Sequence, residues 1–120
     1  MAPGHSFDDV TIKCLIELGF KTITDGYGFF PYSYRGMILV PQLFSQPISL
    51  PVGIQTIAVH TNYESRARID HLLNFLRLRA DRVISYSNVI ERDPSDGLIG
   101  GISRSITRAV VKLSRLHQTL

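Results

Sequence analysis

Cysteine is nearly absent from this 120-residue chain: Cys14 is the only one, which excludes an internal disulfide framework and a cysteine-based zinc cluster. Long apolar runs are missing too. No segment reaches the roughly 18 uncharged apolar residues of a membrane-spanning helix, and the opening MAPGHSFDD lacks the basic and apolar regions of a secretory leader. Nothing therefore calls for an oxidising compartment, and the expected location is the cytoplasm. Compact catalytic signatures are also lacking. There is no G-x-S-x-G, no P-loop, no G-x-G-x-x-G, no H-E-x-x-H and no paired C-x-x-C. Nucleotide, serine-hydrolase and self-sufficient metal-centre readings fall with them. Acidic residues stop at Asp96, whereas Arg104, Arg108, Lys112 and Arg115 follow it. The net +3 is modest, and nucleic acid is not an expected partner.

What is present fits one globular domain. At 44% hydrophobic and 19% charged residues, the chain is neither disordered nor fibrous. Ser6, followed by Phe7-Asp8-Asp9, reads as an N-cap with two carboxylates in the first helical turn, and Gly19 as the stop. Val10, Cys14, Leu15 and Leu18 would face the core. Residues 20 to 24 read as a strand ended by the turn pair Asp25-Gly26. Residues 27 to 51 read as a long aromatic-rich loop carrying one strand at 37 to 40. Residues 55 to 60, TIAVH after Gln55, read as a strand buried on both faces. A helix over 64 to 78 presents Ile69, Leu72, Leu73 and Leu76, and a short strand follows at 82 to 86. The turn cluster 93 to 97 and a flexible Gly100-Gly101 joint lead into an amphipathic basic helix at 102 to 117. Helix, strand and turn alternate in this way in α/β proteins.

In such folds ligands meet the carboxyl ends of the strands. His60 and Asp25 both occupy that position, so they could face one site, where a histidine moves a proton near neutral pH and a carboxylate orients it. His60 as a simple strand-end polar residue is the competing reading. His5, just before the first helix, could set a substrate oxygen against backbone N–H groups or belong to an ordinary capping loop. His71, in the middle of a helix, reads as a residue at the border of its buried and exposed faces, and His117 as part of the tail. Tyr27, Phe29, Phe30, Tyr32 and Tyr34 could stack on sugar rings or fill the core.

Taken together, APGHSFDDVTIKCLIELGFKTITDGYG, the aromatic loop, LVPQ and TIAVHTN resemble the later part of polysaccharide-deacetylase-like (NodB-homology) proteins over about residues 2 to 90. The resemblance implies a partial distorted (β/α) barrel with mostly parallel strands, spanning residues 1–92. Residues 93–101 would link it to the C-terminal amphipathic helix at 102–120. It also implies hydrolysis of acetyl groups on a carbohydrate, with His60 as general acid toward the leaving amine. Pro3 and Gly4 would wall the site, and His5, Asp25, Tyr27 and Asn62 would help to bind substrate. A divalent metal such as zinc is expected of the whole family fold. Its ligands are not in this chain: the family's Thr-Phe-Asp-Asp strand and His-x-x-x-His pair are absent, and SFDD at 6 to 9 precedes a helix.

The expected partners are therefore a carbohydrate and a missing N-terminal half, or a second copy of the chain. Three or four strands cannot close a barrel, so a lone copy should expose edges and apolar faces. The alternative is a non-catalytic glycan- or protein-binding module. For the basic helix, docking on the domain with arginines in solvent is preferred over contact with an anionic membrane surface.

Overall fold

The computed structural model describes residues 7–60, 62–92, 94 and 97–117, with side chains in the last helix as far as Ala109. Asp8, not Ser6, starts the first helix: its carboxylate accepts the Thr11 N–H at 2.8 Å and the Thr11 hydroxyl at 2.7 Å. These bonds hold the Asp8 carboxyl below its usual pKa. Ser6 lies outside the described residues. Helix α1 (Asp9–Glu17) follows. Phe7 before the cap and Ile12 one turn inside join the same apolar cluster, a hydrophobic staple. The staple fixes the helix phase, so Ile12 is buried and Leu15 half-buried, while Val10, Cys14 and Leu18, expected in the core, face solvent. Gly19, at φ 85°, closes the helix: its N–H reaches Ile16 O at 2.9 Å and the Phe20 N–H reaches Leu15 O at 3.0 Å. That double bond is the Schellman arrangement.

Among the described residues, three strands form one mixed, open sheet. β1 (Thr22–Gly26), β2 (Tyr32–Tyr34) and β3 (Met37–Pro41) lie in the order β1-β3-β2, with β1 parallel and β2 antiparallel to β3. The two-residue turn Arg35-Gly36 has positive φ at both positions, 52° and 86°, the conformation whose twist suits a tight hairpin. Asp9 anchors this turn from α1, with Arg35 Nη2 at 2.6 Å and the Tyr34 hydroxyl donating at 2.7 Å. β3 is the most buried strand, and Met37 and Leu39 pack with Ile12 and Tyr32 as the core.

The expected partial barrel is not formed. Residues 55 to 60 are no strand: β1 and β2 already occupy both edges of β3, and this segment passes its end, where Thr56 N–H and hydroxyl both donate to Pro41 O, at 2.8 and 3.0 Å. Nor is it buried on both faces, since Val59 and His60 are exposed. The run at 82 to 86 is no strand either. A short 3-10 turn (Ala80–Arg82) precedes it, and Ser85 caps a short helix α3 (Tyr86–Ile90) by accepting the Asn88 N–H at 3.1 Å. The capping hydroxyl outweighs the β preference of Val83 and Ile84.

Helix α2 (Arg66–Leu78) has Ser65 as its N-cap and buries no residue completely. Leu72, Phe75 and Leu76 instead border an apolar cavity of about 320 Å³ against Ile48, Ile54 and Ile84. Helix α4 (Leu98–His117) starts four residues before the expected 102 and takes the supposed Gly100-Gly101 joint into its first turns. It docks through a polar face. The buried Thr107 hydroxyl accepts the Gly28 N–H at 2.8 Å, Arg104 lies 4.5 Å from the centre of the Tyr32 ring and Arg108 5.3 Å from that of Tyr27. Among the described residues no helix is long and apolar enough to cross a membrane.

Candidate functional site

The site begins with an irregularity in β1. Thr22 pairs with Ile38 and Ile23 with Leu39, but Gly26 pairs with Pro41. Two residues of β1, Thr24 and Asp25, therefore stand against Val40 alone. Asp25 takes up the extra length with φ 78°, a left-handed conformation a non-glycine residue rarely adopts. A bulge of this kind re-aims a side chain. Asp25 is only 6% exposed and borders an open cleft of about 580 Å³. Gly26 lets the strands approach closely next to it: a Cβ there would crowd Val40 C at 3.1 Å.

His60 reaches the same cleft from the opposite side. Its carbonyl accepts the Tyr63 N–H at 2.8 Å and the Glu64 N–H at 3.1 Å, a turn that carries the chain into α2 and leaves the exposed imidazole on the cleft's border. Tyr27, the residue after β1, completes the trio, its backbone N–H donating to the Tyr32 hydroxyl at 3.4 Å. Burial pushes the pKa of that Tyr32 phenol up. Asp25, Tyr27 and His60, expected at one site, are thus brought to one cleft. Asn62 is exposed on the turn after His60 and is not among the residues bordering the cleft. Pro3, Gly4 and His5 lie outside the described residues.

Four further residues give the cleft its shape and charge. Glu64, its side chain 7% exposed, pairs with Arg68 at 2.8 Å, and Arg68 Nη2 donates to Ser45 O at 3.1 Å. That ion pair fastens the start of α2 to the loop opposite. Gln55 works likewise behind the cleft, its amide donating to Gly28 O at 3.1 Å and accepting the Leu43 N–H at 3.3 Å. Gln42 lines the cleft, its N–H bonded to Gly26 O at 3.1 Å. Sequence reasoning missed all four. Only the i, i+4 spacing of Glu64 and Arg68 signalled a pair, and nothing local showed that it would be shielded.

The expected aromatic platform is mostly absent. Tyr32 is in the core and Tyr34 is bonded to Asp9 at the hairpin. Tyr27, Phe44 and Tyr63 are the rings at the cleft. His71 is exposed on α2. No group of three or more His, Cys, Asp and Glu that could hold a metal ion occurs among the described residues, so Asp25, His60 and Glu64 do not fit the zinc expected of the family. The chemistry at hand is hydrogen bonding by a carboxylate, an imidazole and amides, beside three aromatic rings. No family model, curated protein or solved structure matches the chain.

Proposed function

We propose that the chain binds a carbohydrate in the cleft between the β1 bulge and the start of α2, as the sugar-facing portion of a polysaccharide-deacetylase-like protein. The observation that carries the proposal is the convergence of Asp25, Tyr27 and His60, from separate segments, on one open cleft. A carboxylate held in a left-handed bulge is a costly arrangement, and such conformations cluster where a side chain must be aimed. Sugar hydroxyls need acceptors and donors fixed in direction, which Asp25, Gln42 and His60 supply. Tyr27 and Tyr63 offer apolar faces for the C–H side of a ring. The site belongs, in the same proposal, to a cytoplasmic protein, because one cysteine calls for no oxidising compartment.

Deacetylation is the second reading, and the position of His60 favours it. The family resemblance implies that this histidine protonates the departing amine, and an exposed imidazole at a cleft border can exchange protons with solvent and ligand. No hydrolytic step follows from these residues alone, because they do not fit the metal. Calorimetric titration with acetylated chito-oligosaccharides separates the two readings. Saturable binding indifferent to added zinc, weakened about three- to tenfold by His60→Ala through loss of one hydrogen bond, supports the binding module. Acetate release by the chain with zinc would replace it with the enzyme, and no heat of binding up to millimolar ligand would overturn both.

A further inference from the structure

We infer that the apolar cavity beside α2 is a second ligand site, for a monocarboxylate with an aliphatic chain of medium length. The cavity measures about 320 Å³ and is built from three stretches of chain: Ile48 and Ile54 from the 44–57 segment, Leu72 and Phe75 from α2, and Ile84 and Val89 from the entry and body of α3. The first wall is tied to the sheet and to the loop after β1. Ile54 N–H donates to Phe29 O at 2.7 Å and Thr56 N–H to Pro41 O at 2.8 Å, while Gly53, at φ 96°, lies against Phe29. Ser85, capping α3, fixes the opposite wall. These walls are thus set by bonds made outside the cavity, and α2, which buries no residue completely, does not fill the space between them. Protein interiors leave few voids larger than a water molecule, and an apolar space of this size is in the range that small ligands use.

Size and charge select the ligand. An apolar cavity of about 150 Å³ takes up benzene, so one about twice as large has room for roughly 12 non-hydrogen atoms, a chain of about ten carbons with its carboxylate. Among the described residues, Arg82 is the only charged one bordering the cavity. Its guanidinium stands 3.6 Å from the carboxylate of Asp81, with the two side chains 52% and 69% exposed. Such a water-screened pair contributes little, and a ligand carboxylate can replace it with a bidentate guanidinium bond. Gln46, Ser49 and Tyr86 border the same space and can donate further hydrogen bonds to the carboxylate. A sugar would set most of its hydroxyls against aliphatic walls, and a cationic amphiphile would bring its head group to Arg82. Ile48 and Val83, 44% and 52% exposed, leave the cavity reachable from solvent. The inference does not rest on the carbohydrate reading: Phe44 borders both spaces, but no polar residue of the cleft borders the cavity.

Calorimetric titration of the full chain with decanoate, kept below its micelle concentration, tests it. Saturable binding at a single site is expected, with 1-decanol bound at least about tenfold more weakly because it has no charge to pair with Arg82. Arg82→Gln, at an exposed position and so compatible with folding, should weaken decanoate about tenfold or more and leave decanol unchanged. Ile84→Trp, which puts a larger ring into the cavity from its partly exposed edge, should abolish binding of both while the circular dichroism spectrum is kept. In amide NMR the shifts caused by decanoate should gather on Ile48, Ile54, Leu72 and Ile84. No saturable binding up to millimolar decanoate, equal affinity for acid and alcohol, or undiminished binding by Arg82→Gln would overturn the proposal. So would binding retained by a folded Ile84→Trp protein, or shifts confined to the exposed Leu98, Ile102 and Ile106 of α4.

Discussion

The seat of α4 can be tested at a single hydroxyl. Thr107 is 8% exposed; its Oγ1 accepts the Gly28 N–H at 2.8 Å and lies 2.9 Å from Ser103 O, to which it donates. Thr107→Val keeps the shape and removes the acceptor, leaving a buried amide without its bond. Such a group costs about 1–3 kcal/mol, a large part of the roughly 5–15 kcal/mol that keeps a domain folded. An unfolding entropy of about 2.1 cal/mol/K per residue corresponds to about 0.25 kcal/mol/K for a chain of this length, so the melting temperature should fall by about 4–12 °C. Thr107→Ser retains the hydroxyl and loses one methyl group, about 0.8 kcal/mol, and should fall by only about 3 °C. Calorimetry gives the melting temperatures, and hydrogen exchange at the Gly28 amide reports on the bond itself. A Thr107→Val protein that melts like the wild type, or that outlasts Thr107→Ser while Gly28 stays protected, would refute the docking described for α4.

Other positions carry sharper or milder expectations. Gly53, at φ 96°, has Phe29 O where a Cβ would go, so Gly53→Ala combines backbone strain with a clash and should destabilise by about 2–4 kcal/mol in urea unfolding. Arg68→Met breaks the pair with Glu64 and the bond to Ser45 O; about 1–3 kcal/mol of stability should go with them, discounted for Arg68's partial exposure. The lowered pKa of Asp8 means that its cap contributes above the ordinary value of 3.8 and is lost as pH falls through the lower, folded-state value. Amide exchange in α1 should therefore accelerate only at the acid end of that range, and Asp8→Asn, which caps without titrating, should abolish the dependence.

Parts of this fold were legible because their signals are local. The presence of α2 followed from the spacing of Ile69, Leu72, Leu73 and Leu76, and the end of α1 from Gly19. The β2–β3 hairpin was missed because its turn is Arg35-Gly36, and arginine at a left-handed position is stabilised here by Asp9, a partner far away in sequence. Residues 55 to 60 looked like a buried strand because Ile57, Ala58 and Val59 are apolar. Whether they pair depends on which edges of β3 are free, and that is settled by the hairpin. The barrel expectation failed on the same point. α4 shows the limit most clearly: an amphipathic period reveals two faces, but which one docks depended on a glycine and two tyrosines far earlier in the chain, Gly28, Tyr27 and Tyr32, as the Gly28–Thr107 separation of 79 shows.

The cleft was half legible. His60 and Asp25 stood out as polar residues closing apolar runs, and they do reach one cleft. Asp25 does so by a different route from the one expected, as the extra residue of a bulge within β1 and not as a turn after it. Glu64, Arg68 and Gln55 hold the walls through contacts between segments 12 to 27 residues apart, such as Gln55 with Leu43 and Gly28 and Arg68 with Ser45. No local pattern announces such bonds.

The central claim is that the Asp25–His60 cleft receives a sugar. Its most direct measurement is a two-dimensional amide NMR titration of the full chain with an acetylated chito-oligosaccharide. Saturable shifts confined to Asp25, Gly26, Tyr27, Gln42 and the 60–64 turn, reduced in His60→Ala, are the predicted result. A spectrum unchanged by ligand, or shifts that gather on α4 or the apolar cavity beside α2 while the cleft stays silent, would contradict it.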